Sequence, residues 1–194
     1  MKEIKKDLIY DEMSEKIISV AEKMVTSNGA HAITVRSILK ELEITNRVFY
    51  NRFRNIDEVL SIVYQNTIIK IRDVLSVKYD IEENFFEYVM HLFTEVLKST
   101  YDLKMKFSHY MFEHDSISNA NYSWWTSEIK KLIEFAKTKK YIKDVDSDVL
   151  SYSIWCFCRG FNADAVSRNI PKEKAVSDFQ YSFGFLLDGL KENV

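Results

Sequence analysis

Four glycines and one proline, Pro171, are spread through 194 residues. That scarcity of breakers constrains the fold more than any other property, because a β-sandwich or barrel needs turn residues at every hairpin. Long helices with short connections are what such a chain can form. Hydrophobic residues make up 46% of it, enough for a substantial core. The expected fold class is all-α, and the length suits a small domain joined to a larger one.

The net charge of −2 gives no global sign of nucleic acid, but the charge is unevenly placed. Residues 31–56 carry Arg36, Lys40, Arg47, Arg52 and Arg54 against Glu41 and Glu43, a local balance of +3. Residues 82–120 carry seven acids against three lysines, a local balance of −4. No apolar run approaches the ~20 residues that span a bilayer. The charged start, MKEIKKDLIYDEM, lacks the apolar stretch of a signal peptide. A cytoplasmic protein without membrane association is expected. Cys156 and Cys158 lie two apart, on nearly opposite sides of a helix, and are expected to be small buried residues rather than a disulfide or metal pair.

Helical periodicity begins near Asp11 and runs to Ser27, with Met13, Ile17, Val20, Ala21, Met24 and Val25 as one apolar stripe closed by Asn28-Gly29. Before it, Lys2, Lys5 and Lys6 form a basic arm, expected to be a solvated tail. Thr34 stands where an N-cap belongs, ahead of a helix burying Ile38, Leu39 and Leu42. Glu43-Ile44 makes a turn, and Thr45 caps a second short helix reaching to about Arg52, with Val48 and Phe49 inward. Two caps eleven residues apart with a polar outer face suit a helix-turn-helix. A helix N-terminus attracts phosphate; Thr45, Tyr50 and Asn51 can hydrogen-bond phosphate oxygens, while Asn46 and Arg47 can reach base edges. A plain amphipathic helix pair with a solvated face is the alternative on spacing alone.

Residues 13–63 resemble the N-terminal domain of TetR-family transcriptional repressors. The resemblance rests on Asn28-Gly29, Ile33-Thr34-Val35-Arg36-Ser37-Ile38, Ile44-Thr45, Val48-Phe49-Tyr50, Phe53 and Asn55-Ile56-Asp57-Glu58-Val59-Leu60. It implies a three-helix DNA-binding domain, a long fourth helix, a helical effector-binding and dimerisation domain, and a homodimer on a palindromic double-stranded DNA operator. The expected boundaries are 1–56 and 57–194, and the expected DNA-binding set is Thr34, Arg36, Thr45, Asn46, Arg47, Tyr50, Asn51, Arg52 and Arg54. Three positions depart from the family pattern. Glu43 replaces a turn glycine, Asn46-Arg47 stand where a small residue or lysine is common, and Ile56 replaces a lysine whose phosphate contact either passes to Arg54 or is absent.

The fourth helix is expected from Ile56 to about Val77, with Val59, Leu60, Val63, Ile68, Ile71 and Leu75 inward. Further helices are expected at about 82–100, 103–114, 118–140, 147–167 and 172–191. Asp146-Ser147 would start the fourth of these, and Pro171 would sit in the first turn of the last. Residues 82–194 hold 21 of the 27 aromatic residues. Most of these are core by spacing, yet Phe86, Met90, Phe93, His109, Tyr110, Glu113, Trp124 and Trp125 could together line an apolar pocket with polar anchors. No catalytic constellation or cofactor motif is present in the sequence. The apolar helices at 147–167 and 172–191 are expected to form the homodimer interface. The function expected is a DNA-binding transcriptional regulator, most simply a repressor released by a small apolar or aromatic effector. A regulator without such an effector, and a helical carrier or enzyme that has lost DNA binding, are the rival readings.

Overall fold

The computed structural model describes residues 8–73, 84–102, 110–115 and 119–192. Among these the chain is helical, without strands; an isolated antiparallel bridge pairs Ile142 with Lys191. The helices are α1 (Glu12–Asn28), α2 (Val35–Leu42), α3 (Asn46–Tyr50), α4 (Ile56–Arg72), α5 (Phe85–Asp102), α6 (110–115), α7 (Asn119–Thr138), α8 (Ser147–Ser167) and α9 (Lys172–Leu190). A 3-10 turn, Ala30–Ala32, separates α1 from α2. No described helix is long and apolar enough to cross a membrane. Leu75, His109, the basic arm and the expected end of the fourth helix lie outside the described residues.

Two compact units divide between Ile69 and Lys70, inside α4. In the first, α1 starts on a reciprocal cap. The Asp11 carboxylate accepts from the Met13 and Ser14 amides at 3.0 and 3.1 Å, and the Ser14 hydroxyl accepts from the Asp11 amide at 3.1 Å. It ends at Gly29, whose φ of 84° suits a residue without Cβ. Ile17, Ile18, Ala21, Val25, Ile33, Ile38, Phe49, Phe53, Val59 and Val63 are all buried and make up the apolar core of this unit. Leu39, Leu42 and Val48, expected inside, are only half-buried, because helices as short as α2 and α3 cover little of one another.

Glu43 ends α2 in the left-handed region, at φ 53° and ψ 36°, with its amide bonded to the Leu39 carbonyl. A side chain there costs about 1–2 kcal/mol. The turn therefore persists by virtue of the packing around it. Replacing Glu43, a residue on the surface turn, by glycine removes that strain but adds freedom to the unfolded chain. The expected net result of Glu43→Gly is a gain of about 0.5–1 kcal/mol in urea unfolding, after the unfolded-state entropy has offset part of the relief.

In the second unit α7 packs along α8, and α5 along α9. Asp146 caps α8 by accepting from the Asp148 and Val149 amides. Pro171 is the N-cap of α9, one position earlier than expected, where its missing N–H again costs nothing. Phe179 and Phe183 are fully buried and stack with ring centroids 5.2 Å apart. Phe157 stacks on Phe183 at 5.7 Å, and Phe93 meets Phe183 edge-on at 5.3 Å. Cys158 joins this core, and burial pushes its thiol pKa up; Cys156 is exposed, against expectation, since two helical positions turn it roughly 200° away.

Candidate nucleic-acid interface

The polar face of the first unit is built on Phe49. Its ring is wholly buried, 5.8 Å from Phe53 and edge-on to Tyr50 at 5.4 Å. With Phe49 inward, the helical turn carries Thr45, Asn46, Arg47 and Tyr50 outward, and all four are exposed. Arg36, on the first turn of α2, and Arg54, just before α4, are exposed as well. Thr34 is exposed, but its hydroxyl already accepts the Ser37 amide at 3.1 Å while its own amide donates to the Ser37 hydroxyl.

Thr45 occupies the N-cap of α3 without a side-chain capping bond, so its hydroxyl is not used within the helix. The expected helix to Arg52 stops at Tyr50. One helical turn aligns few peptide dipoles, so phosphate attraction at this point rests on side chains more than on the helix end. Asn51 is half-buried, and its carbonyl accepts the Ile9 amide at 2.9 Å. Arg54 is fixed through its backbone: its amide donates to the Glu58 carboxylate at 2.7 Å, while the Glu58 amide donates to the Asn55 side chain at 2.9 Å.

Arg52, expected to face DNA, turns inward. Its Nε donates to Asp11 at 2.7 Å, one terminal nitrogen donates to the other Asp11 oxygen, and the second bonds the Val48 carbonyl at 2.8 Å. Only 14% of its side chain is exposed. The Arg52 guanidinium holds the Asp11 carboxyl well below the usual carboxylate range, helped by the two capping amides, and the carboxylate raises Arg52 in return. An Asp followed three residues later by Ser is a legible cap; that it also receives an arginine 41 positions on is not.

The residues expected to form an effector pocket fall into two groups. Phe86 and Phe93 line an apolar cavity of about 30 Å³ with Phe85, Val89 and Ile154, and Met90 packs against the same core. Trp125 is buried on α7, edge-on to Trp124 at 5.1 Å. Glu113 is exposed and Tyr110 stacks on His114; neither they nor the tryptophans line that cavity. Beside Trp124 lies a polar relay that sequence reasoning missed. The Arg72 guanidinium sits 4.4 Å over the indole and donates to the Asn121 side chain at 2.9 Å, and Asn121 donates to Asp115 at 3.1 Å.

Solved structures share this fold. A TetR-family transcriptional regulator from Pectobacterium atrosepticum superposes with a TM-score of 0.69 at 13% identity, covering 94% of this chain and 95% of that one. The fold is that of the TetR family. Other similar structures include the fatty acid degradation regulator FadR from Bacillus halodurans, with a TM-score of 0.60, 16% identity, and 89% and 95% coverage. The ketosteroid transcriptional regulator KstR2 of Mycobacterium tuberculosis gives 0.59, 15% identity, and 97% and 100% coverage. No family model matches the sequence. The HTH-type dhaKLM operon transcriptional activator DhaS from Lactococcus lactis is 35% identical over 60 residues, 30% of this chain and 32% of that protein. The matched stretch thus spans about a third of the curated relative.

Proposed function

We propose that this protein is a dimeric DNA-binding transcriptional regulator, with residues 1–56 as the reader and 57–194 as the effector-binding and dimerisation part. One observation carries the reading: Asn46, Arg47 and Tyr50 project together from a helix whose inner face is locked by Phe49, in a locally basic segment. Arg47 has the donor fork for guanine and Asn46 the amide for adenine, while Thr45, Tyr50, Arg36 and Arg54 suit phosphate oxygens. The TetR-like fold and the 60-residue similarity to the HTH-type activator DhaS support the same role.

The dimer is proposed through α8 and α9. Val149 and Tyr152 on α8 and Tyr181 and Phe185 on α9 are exposed large hydrophobic residues, at 61%, 54%, 73% and 65%. Beside them Ser153, Cys156 and Gly160 form a small-residue stripe, open where a Cβ on Gly160 would project. Rings from one copy would fill that stripe on the other, burying a patch that a monomer would not leave in water. Two readers would then meet two half-sites of an operator in successive major grooves. An effector in the second unit acts by binding better to the DNA-incompetent state; a hundredfold preference shifts the balance by about 2.7 kcal/mol. The names of FadR and KstR2 point to apolar effectors, and the aromatic lining around Phe86 and Phe93 is compatible with one. The small size of that cavity favours, as a second reading, a regulator that works without a small-molecule effector.

Gel-shift titration against DNA from this protein's own promoter tests the reader. Arg47→Ala is expected to lower specific affinity about tenfold or more, with weaker loss on unrelated DNA. If the unaltered protein shows no salt-sensitive, sequence-preferring binding, the DNA reading fails.

A further inference from the structure

We infer that Asp11 and Arg52 form a positioning clamp for the reading helix, so that Arg52 serves DNA recognition from behind α3 without touching DNA. The inference rests on the DNA-binding reading. A helix of five residues has too few internal hydrogen bonds to hold its own direction, so its pose depends on what grips it. The clamp grips its rear. Arg52 reaches the Val48 carbonyl on α3 with one arm and closes a two-point contact with Asp11 by the others. Asp11 is in turn fixed by capping α1, through the Met13 and Ser14 amides. A second tie runs in parallel, from the Ile9 amide to the Asn51 carbonyl at 2.9 Å, with the Ser14 hydroxyl bonded to the Ile9 carbonyl at 3.3 Å. The start of α1 and the end of α3 are thereby one rigid corner. Asn46 and Arg47 leave the opposite end of the same turn, so a tilt at Val48 displaces them directly.

A planar fork is needed here, because a lysine in place of Arg52 would offer a single point of attachment and could not hold Asp11 and Val48 in one plane. The neighbouring charges do not compete. Tyr10 donates to Glu15 at 2.5 Å, and Glu12 pairs with Lys16 at 2.8 Å, each on the α1 side.

The test is a double-mutant cycle read by operator and non-specific DNA affinity over a salt series. Asp11→Asn keeps an N-cap-competent side chain while removing the charge, so α1 should remain capped. Arg52→Met keeps the aliphatic stem. Each single variant and the pair are expected to lose operator affinity by the same factor, roughly tenfold, the worth of one base contact. Non-specific affinity and the salt slope should not change, since no phosphate contact is removed. Arg52→Lys should behave like Arg52→Met. Far-UV circular dichroism and melting show whether Asp11→Asn has kept its fold; if it has not, Arg52→Lys decides by the same readouts. Should Arg52→Met weaken binding and flatten the salt slope while Asp11→Asn binds normally, Arg52 is a phosphate contact and the clamp is overturned. Equal operator binding by all variants also overturns it, whereas no binding by the unaltered protein indicts the DNA reading instead.

Discussion

Phe49→Ala is expected to unfold the first unit at room temperature. The ring has no exposed surface and packs against the rings of Phe53 and Tyr50 within that unit. Removing a buried phenyl costs about 3–5 kcal/mol through lost transfer energy and the cavity left behind. A single core of this size supplies only about 3–5 kcal/mol in all. The two magnitudes are equal, so nothing is left to hold α2 and α3 in place. Urea titration by circular dichroism, with amide exchange on α1–α3, reads the effect. Tyr50→Ala, on the same helix but 49% exposed, should cost far less and serves as the control. A loss under about 1 kcal/mol for Phe49→Ala would mean that the core closes around the gap.

The second large effect concerns assembly. Changing Tyr181 and Phe185 together to glutamate is expected to leave the second unit folded and the protein monomeric. Both rings lie on the exposed side of α9, 5.0 Å apart and edge-on, while Phe179, Phe183 and Leu187 fill the core from the other side. The substitutions therefore add charge where an interface would be dry without opening a cavity inside. Sedimentation equilibrium should report one chain per particle. Operator affinity should fall by about 10²–10⁴, because the second half-site is no longer bound intramolecularly. A variant that stays dimeric would move the interface elsewhere and remove the reason for these two rings to be exposed.

How much was readable in advance differs between local and distant relations. The caps at Thr34 and Asp146 and the stop at Gly29 follow from residues within three or four positions, and the structure has them where the sequence places them. The inward residues of α4, Val59, Leu60, Val63, Ile68 and Ile71, follow from a period that any helix imposes. Tyr64 and Thr67 are buried too, since neighbours cover more of α4 than a single stripe. The end of α3 at Tyr50 is less legible, because a helix of one turn is set by its surroundings and not by propensity.

The sequence by itself determined the all-α class, the order of helices, and the polar face that Asn46, Arg47 and Tyr50 share, because periodicity and capping act over a few residues. It could not assign Arg52. A guanidinium beside Tyr50 and Asn51 has the same composition whether it faces solvent or a carboxylate, and the carboxylate that claims it lies 41 residues earlier. The same holds for the relay through Arg72, Asn121 and Asp115, and for the separation of Phe86 and Phe93 from the tryptophans of α7. Only tertiary packing decided these. Partners far apart in the chain are chosen by which helix faces meet, and no local pattern records that choice.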